Sequence, residues 1–316
     1  MTLTELRYVV ALAQERHFGR AASACFITQP TLSVAIKKFE DELGIVVFER
    51  RPGTVAVTPI GSRIVAQAMR ILDETRNLKA MAAAGTDPFA SPLRIGAIYT
   101  VGPYLFPRLV PALRTDIPRM PLIIEEHFTR VLTERLQQGD LDAIIVSEPF
   151  AEAGLAQVPL YDEPFVVALP PGHPWAALPE ISADRLAEET TLVLGAGNCF
   201  RDKVLKVCGP VAPMEPGEWQ RILEGSSLET IRYMVAGGAG ITVLPCSAGH
   251  DSGAGAALVT LRPFATPKPT RRIVLAWREH FPRPEAITAL RAAIRSHLPP
   301  CLRPLPDRAA VTPQTD

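Results

Sequence analysis

The sequence predicts an α/β protein with a small helical N-terminal part and a larger part in which strands and helices alternate. The length of 316 residues suggests about two domains of roughly 100–200 residues each. Apolar residues recur at helical spacing up to about residue 44. After residue 92, short apolar runs alternate with helical patterns, which is typical of a mainly parallel sheet.

The composition limits the classes of protein that need to be considered. With 33 basic and 33 acidic residues the net charge is zero, so any contact with nucleic acid must be local. No apolar run approaches the ~18 residues of a membrane span, and Glu5, Glu15 and Arg16 interrupt the first apolar pattern, unlike a signal peptide. We therefore expect a cytoplasmic protein without membrane contact, and no pattern indicates a cofactor.

Three short helices are predicted at the N-terminus. Thr4 caps a first helix that ends near Arg16, and a second covers residues 20–25. Thr28 caps the third, and Pro30 fits its first turn. Its predicted buried stripe contains Leu32, Ile36, Phe39 and Leu43. The polar residues on its outer side are Gln29, Thr31, Ser33, Lys37 and Lys38.

Short helices joined by a tight turn, with a polar outer side on the last, are typical of a helix-turn-helix. In that motif amide and hydroxyl side chains meet base edges in the major groove, and lysines meet phosphates. The alternative is a three-helix packing module with a solvated polar face.

A wing and a long helix are predicted next. Residues 46–51 and 54–59 read as two strands around a Pro52-Gly53 turn, where Arg50 and Arg51 would contact phosphate. The long helix runs from Thr58 to about residue 84 and carries an apolar seam that a single exposed helix cannot bury, so we expect it to pair with a second copy. The seam contains Ile64, Ala68, Ile71, Leu78 and Met81. Residues 85–92 form the linker to the second part.

The second part is predicted from its apolar runs. Strands are expected at residues 93–98, 122–126, 143–146, 165–169, 191–194, 240–245 and 273–277. Helices are expected at residues 103–116, 131–138, 182–188, 227–236 and 284–297.

Cys199 and Cys208 are the most informative residues of this part. Cysteines in a cytosolic chain are read as thiols, and such a pair is more often catalytic or sensing than structural. If Asn198 caps a helix starting at Cys199, the helix N-terminus and Arg201 favour the thiolate. In a helix the two Cα atoms would lie about 13 Å apart, beyond the ~7 Å limit for a disulfide, so bonding requires unwinding. The alternative is that both are small buried hydrophobic residues.

The other cysteines and the histidines carry no comparable pattern. Cys25 is expected on the packed face of the helix-turn-helix, Cys246 after a buried strand, and Cys301 in a Pro-rich tail, residues 301–316, that we expect to be disordered. No histidine spacing indicates a metal site.

Residues 1–61 resemble the winged helix-turn-helix of the LysR-type transcriptional regulators. The resemblance rests on Ala21-Ala22, residues 28–33, Ile36, Glu40, Leu43-Gly44, Phe48, Arg50 and residues 58–61. It implies a linker helix and an effector domain of two Rossmann-like, periplasmic-binding-protein-like subdomains, assembled as a homotetramer (a dimer of dimers). The implied limits are 1–61 for the DNA-binding domain, 62–88 for the linker helix, 89–300 for the effector domain, 92–162 plus 268–298 for subdomain I and 163–267 for subdomain II. The implied DNA-binding residues are Gln29, Pro30, Thr31, Ser33, Lys37, Lys38, Arg50, Arg51 and Thr58.

The second part is similar to the peroxide-responsive members of that family, through Gly197, Cys199, residues 201–202, Cys208 and residues 227–236 and 240–242. The resemblance implies that Cys199 is peroxidatic and Cys208 resolving. The implied peroxide pocket contains Thr100, Thr129, Gly197, Asn198, Phe200 and Arg271, with Arg272 as the register alternative. Thr100 and Thr129 could instead cap the helices that follow them. Asn198 is a departure, because well-known relatives have histidine there, and asparagine can neither carry a positive charge nor relay a proton at neutral pH.

We therefore expect a transcription regulator that is switched by hydrogen peroxide through a Cys199–Cys208 disulfide. The expected partners are promoter DNA, hydrogen peroxide, RNA polymerase and a glutaredoxin- or thioredoxin-type reductant. One alternative is a regulator of the same family that binds a small organic anion between its subdomains. A second is a thiol peroxidase or disulfide-exchange enzyme, which the N-terminal residues argue against.

Overall fold

The computed structural model describes residues 1–51, 54–84, 87–208, 222–225, 227–249 and 258–306. The chain forms two compact units, Met1–Gly85 and Thr86–Asp316, here called the head unit and the effector unit. The boundary falls at the start of the predicted linker. No helix among the described residues is long and apolar enough to cross a membrane.

The described residues of the head unit form four helices and two antiparallel strands. They are α1 (Leu3–Glu15), α2 (Phe18–Ala24), α3 (Gln29–Leu43), β1 (Phe48–Arg51), β2 (Thr54–Val57) and α4 (Pro59–Ala84). Thr2, and not the predicted Thr4, caps α1, because its hydroxyl accepts from the Glu5 N–H while the Glu5 carboxylate accepts from the Thr2 N–H. Thr28 caps α3 as predicted. The predicted Pro52-Gly53 turn lies outside the described residues.

The seam predicted on α4 is partly buried within the chain itself. Ala68 and Leu72 belong to the core of the head unit, and Ile64 and Ile71 pack against it. Leu78, further along the helix, is 68% exposed. Only the later part of the seam is therefore open to a second copy.

The effector unit consists of strands and helices that alternate along most of its length. Its strands are β3 (Leu93–Ile98), β4 (Leu122–His127), β5 (Ala143–Ser147), β6 (Leu155–Leu169), β7 (Thr191–Leu194), β8 (Ile222–Gly225), β9 (Ile241–Pro245), β10 (Thr260–Pro263), β11 (Thr270–Arg278) and β12 (Arg303–Pro304). Its α-helices are α5 (Gly102–Asp116), α6 (Thr129–Gln138), α7 (Cys199–Cys208), α8 (Leu228–Ala236), α9 (Cys246–Gly249) and α10 (Pro284–Ser296). Two 3₁₀ helices cover Pro174–Ala177 and Ala183–Glu188.

The sheet has the order β4-β3-β5-β11-β6-β9-β7-β8. Pairing is parallel among β4, β3 and β5 and among β9, β7 and β8, but β6 and β11 are antiparallel to their neighbours. The expectation of a mainly parallel sheet therefore holds for the two ends and is wrong for the centre. The reason is that β6 passes through both halves, pairing with β11 at one end and with β9 at the other.

The prediction for β6 covered only residues 165–169. Pro159 and Pro164 interrupt the earlier part, which therefore does not read as a strand. The register of β6 against β11 shifts beside Pro159, where the strand accommodates the interruption as a bulge.

The prediction of a disordered tail is wrong for residues 301–306. Cys301 is bonded to Cys246, a contact that the sequence did not predict for either cysteine. Leu302 is buried, and the Leu305 N–H donates to the Leu160 carbonyl at 3.0 Å. Proline has no backbone N–H to donate and is tolerated at the edge of a sheet. The Pro-rich composition therefore did not prevent β12 from pairing with β6. Residues 307–316 lie outside the described residues.

Candidate functional site

Cys199 and Cys208 occupy the two ends of α7. Phe200, Val204 and Cys208 face the core, while Cys199 is partly exposed. Nine residue steps of helix separate the cysteines by about 13 Å, as the sequence predicted. Burial raises the pKa of the Cys208 thiol to about 11, and a hydrogen bond with Thr191 offsets part of this. In this conformation Cys208 is a protonated thiol in the core.

The Cys199 end of α7 opens onto a small cleft in the effector unit. Its cavity volume is about 10 Å³, roughly what one water-sized molecule needs. The cleft lies where β3 and β4 end and α7 begins. Its lining residues are Ile98, Tyr99, Thr100, His127, Phe128, Thr129, Gly197, Asn198 and Cys199. The structure thus brings together five of the residues that the sequence assigned to the site.

A short loop positions Cys199. Gly197 has φ +91°, a backbone conformation that residues with a side chain rarely adopt, and a Cβ at this position would lie 3.8 Å from the Phe128 ring. The Asn198 side-chain Nδ2 donates to the Gly195 carbonyl at 3.1 Å, which closes the turn. Asn198 directly precedes α7, so Cys199 is the first residue of the helix. The helix dipole at this end favours a negative charge on the sulfur.

Thr100 and Thr129 are not helix caps, which removes the alternative reading of these residues. Val101 and Phe128 occupy the cap positions of α5 and α6, and neither makes a side-chain capping bond. The Thr100 hydroxyl accepts from Arg271 Nη1 at 2.7 Å and keeps its own proton for donation. Both threonines line the cleft.

Arg271 lies behind the cleft in a buried network. Its guanidinium donates to the Glu163 carboxylate at 2.8 Å and to the Thr100 carbonyl at 2.8 Å, and the Arg271 and Glu163 side chains are both fully buried. Arg272, the register alternative, pairs instead with Asp162, where both side chains are well exposed. Arg271 is therefore the arginine on the site side of β11, although it does not line the cleft itself.

Phe200 also lies behind the cleft. Its ring is buried, meets Phe165 edge to face at 5.0 Å between centroids, and lies under the Arg271 guanidinium. The expectation that Phe200 lines the pocket is not met, because it follows Cys199 on the inner side of the helix. Its contribution to the site is to pack against Arg271.

Two further residues of the site were missed from the sequence. Partial burial lowers the pKa of Lys203. The nearby Cys199 acts in the opposite direction and offsets part of this, because a negative charge on its sulfur would attract the lysine. Lys203 Nζ also donates to the Glu148 carbonyl at 2.6 Å. His127 lines the cleft and lies 3.6 Å from Glu125. The i,i+4 spacing of Cys199 and Lys203 was the available signal for the lysine, since such residues share a helix face.

We expect Lys203→Met to slow peroxide oxidation of Cys199 about tenfold, because a neighbouring cation favours the thiolate. The measurement is the rate of Cys199 oxidation by quenched-flow mass spectrometry on the full-length protein. Lys206→Met is the matched control, because Lys206 is exposed one turn later on the same helix. Equal rates in the two variants would remove Lys203 from the site.

A second candidate surface lies on α3 of the head unit. Gln29, Pro30, Thr31 and Lys37 are exposed and Ser33 is partly exposed, while Leu32, Ile36 and Phe39 are buried on the opposite side. The helix thus offers amide and hydroxyl groups in its first turn and a cation further along. This is the arrangement with which a recognition helix meets the major groove.

Three predicted DNA contacts need separate comment. Lys38 is exposed but donates to Glu5 at 2.8 Å, a contact that lowers the pKa of Glu5. Thr58 is not on the surface, because its buried hydroxyl donates to the Val46 carbonyl and accepts from the Gly61 N–H, which caps α4. The side chains of Arg50 and Arg51 in β1 lie outside the part of the structure that is described.

A helix-turn-helix with a pair of short strands, followed by an α/β effector unit with a small cleft beside a cysteine, defines a DNA-binding regulator with a sensing domain. The family comparisons agree with this class. Residues 3–62 match the bacterial regulatory helix-turn-helix protein of the lysR family, and residues 86–299 match the LysR substrate binding domain. The chain belongs to the LysR family of transcription regulators.

Several of its relatives within that family are named OxyR or named for induction by hydrogen peroxide. The chain is 38% identical over 298 residues to the DNA-binding transcriptional dual regulator OxyR of Escherichia coli strain K12, covering 94% of this chain and 96% of the relative. It is also 38% identical to the hydrogen peroxide-inducible genes activator of Pectobacterium carotovorum, covering 94% and 97%. Full-length OxyR C199D from Pseudomonas aeruginosa matches in structure with a TM-score of 0.69 and 48% identity, covering 98% of this chain and 99% of that one.

Proposed function

We propose that the protein is a transcription regulator of the oxidative-stress response that senses hydrogen peroxide through Cys199 and Cys208. The observation that carries the proposal is the cleft that Cys199 shares with Thr100 and Thr129. Its volume of about 10 Å³ leaves room for a molecule of only a few atoms, which favours peroxide over an organic inducer at this cleft. The names of the OxyR relatives support the same function.

In the first step the Cys199 thiolate attacks one oxygen of the peroxide. The O–O bond breaks, Cys199 becomes a sulfenic acid, and the other oxygen leaves as hydroxide that takes up a proton to become water. Charge builds on this leaving oxygen, and hydroxyl donors aimed at it lower the barrier. Thr100 is suited to this role, because Arg271 occupies its oxygen and leaves its proton free to donate.

His127 supplies the imidazole that Asn198 cannot provide. It lines the same cleft as Cys199. An imidazole near neutral pH can give a proton to the leaving oxygen. We assign His127 to this role and leave Asn198 the task of closing the turn before α7.

In the second step Cys208 attacks the Cys199 sulfur and expels the sulfenic oxygen as water, forming the disulfide. The two sulfurs cannot meet across an intact α7, so the helix must unwind and Cys208 must leave the core. This refolding is the proposed signal, which alters the contacts between effector units and with them the spacing of the heads on DNA.

The proposed assembly is a homotetramer on promoter DNA. The proposed dimer contact in the head unit is a surface groove along α4, where Ile71 and the exposed Leu78 are flanked by Gln67, Arg70, Glu74 and Thr75. RNA polymerase is the proposed partner at the promoter, and a glutaredoxin- or thioredoxin-type protein the proposed reductant of the disulfide. A promoter-binding role implies work in the cytoplasm.

The deciding experiment is footprinting of Cys199→Ser on promoter DNA with and without hydrogen peroxide. We expect the variant to keep the reduced footprint after treatment, whereas the wild type and the control Cys25→Ser shift theirs. Peptide mass spectrometry should find the Cys199–Cys208 bridge in the wild type at modest peroxide. A Cys199→Ser protein that shifts its footprint like the wild type, or a wild type without the bridge, favours an organic inducer instead.

A further inference from the structure

A second pair of cysteines joins the two halves of the effector unit. Cys246 and Cys301 are bonded, although 55 positions separate them in the sequence, and their Cα atoms lie 6.3 Å apart. Cys246 begins α9 and is 1% exposed, while Cys301 is partly exposed. Nothing in the proposed sensing of peroxide by Cys199 and Cys208 uses this pair.

The bond closes a gap along one side of β6. On that side β9 pairs with Phe165–Ala168 and β12 pairs with Tyr161 and Asp162, so the space between the two short strands lies at Glu163 and Pro164. Cys246 directly follows β9, and Cys301 stands two residues before β12. The disulfide therefore makes one continuous edge out of two strands that come from distant parts of the chain.

The residue that follows Cys246 contacts the buried ion pair behind the sensing cleft. The Ser247 N–H, next to Cys246, donates to Glu163 at 3.1 Å, and Glu163 in turn holds Arg271. On the other side, Leu302, next to Cys301, is buried. Arg295 donates to the Leu305 carbonyl at 2.7 Å, and the Leu305 N–H donates to the Leu160 carbonyl, so the disulfide adds a covalent link to a segment that β12 already pairs with β6.

We propose that Cys246 and Cys301 are a second redox pair, which peroxide closes without any change of fold and which fastens residues 301–305 across β6. The Cα atoms of Cys246 and Cys301 are close enough for a disulfide. Cys199 and Cys208, in contrast, lie at opposite ends of one helix. Closure is thus independent of α7. In a reducing cytosol such a pair opens again, so its state follows the redox conditions.

The chemistry balances with peroxide as the only oxidant. Cys301, the more exposed of the two, attacks a peroxide oxygen as its thiolate and becomes a sulfenic acid while one water leaves. Cys246 then attacks the Cys301 sulfur, and the sulfenic oxygen leaves as a second water. Two thiols lose two electrons, and one peroxide gains them.

The test uses the full-length Cys199→Ser/Cys208→Ser double variant, in which the first pair is absent. We expect peroxide to produce a Cys246–Cys301 bridged peptide by non-reducing mass spectrometry. We also expect amide hydrogen exchange in residues 301–306 to slow about tenfold, because local opening now has to proceed against a cross-link. A further Cys301→Ser change, as the matched control, should leave exchange in this segment fast with and without peroxide.

Two results would overturn the proposal. One is that both thiols stay free in the double variant after prolonged treatment with a large excess of hydrogen peroxide. The other is that the bridge forms and exchange in residues 301–306 does not change. Because the double variant lacks Cys199, either outcome is independent of whether Cys199 senses peroxide.

Discussion

Replacing Arg271 with methionine is expected to destabilise the effector unit by about 3–5 kcal/mol, because it leaves the Glu163 carboxylate buried without its partner. Arg272→Met is the matched control on the neighbouring residue. Its partner Asp162 is 40% exposed and remains hydrated when the arginine is lost, so the expected cost is about 0–1 kcal/mol. The measurement is urea unfolding of both full-length variants, followed by effector-unit fluorescence.

The same substitution should also slow the oxidation of Cys199, because the Thr100 hydroxyl loses the donor that orients it. If Arg271→Met does not fold, Arg271→Lys keeps the charge but loses the paired geometry of the guanidinium, and should show the same order of effects on a smaller scale. Similar urea midpoints for the Arg271 and Arg272 variants would contradict the role assigned to the buried pair.

Cys208 is expected to react with iodoacetamide at least about a hundredfold more slowly than Cys199 in the reduced native protein at pH 7.5, because a buried, protonated thiol is a poor nucleophile. Burial raises its pKa from an ordinary value of 9.0 to about 11. The fold therefore favours the protonated form. The stability that the buried, protonated Cys208 thiol contributes is complete below about pH 9 and is lost as the pH rises towards 11.

Time-resolved mass spectrometry of the two labelled peptides measures these rates across pH. The control is the same protein in urea, where both thiols should label at similar rates. Rapid native labelling of Cys208 at neutral pH would mean that this end of α7 opens without oxidation. The resolving step would then require no signal from Cys199.

The sequence predicted the parts of the site that depend on local order along the chain. Thr100 and Thr129 each follow a strand of the same parallel pair, so their convergence at one edge of the sheet was predictable. Cys199 at a helix N-terminus followed from the glycines and Asn198 before it. The strands β3, β4, β5, β7 and β9 begin and end within one residue of their predicted limits for the same reason.

The parts that were missed depend on which side of an element a residue faces. Neighbouring residues on a strand point to opposite faces, and the sequence alone could not fix which of Arg271 and Arg272 points inward. Phe200 was expected in the pocket on the family resemblance, but a helix turns it about 100° away from Cys199. The contact between Cys246 and Cys301 depends on the path of β6. The prolines of this strand prevented the prediction of its first part, residues 155–164.

The continuity of β6 restricts how a signal can leave the effector unit. A protein whose two lobes are joined by loops can close on its ligand as two rigid bodies about those loops. Here a single hydrogen-bonded strand runs from one lobe into the other, so large closure would have to break the ladder that β6 forms with β11. In such a protein, unfolding one helix disrupts fewer hydrogen bonds than bending β6. The helix α7, which carries Cys199 and Cys208, can unfold in this way while β6 stays intact.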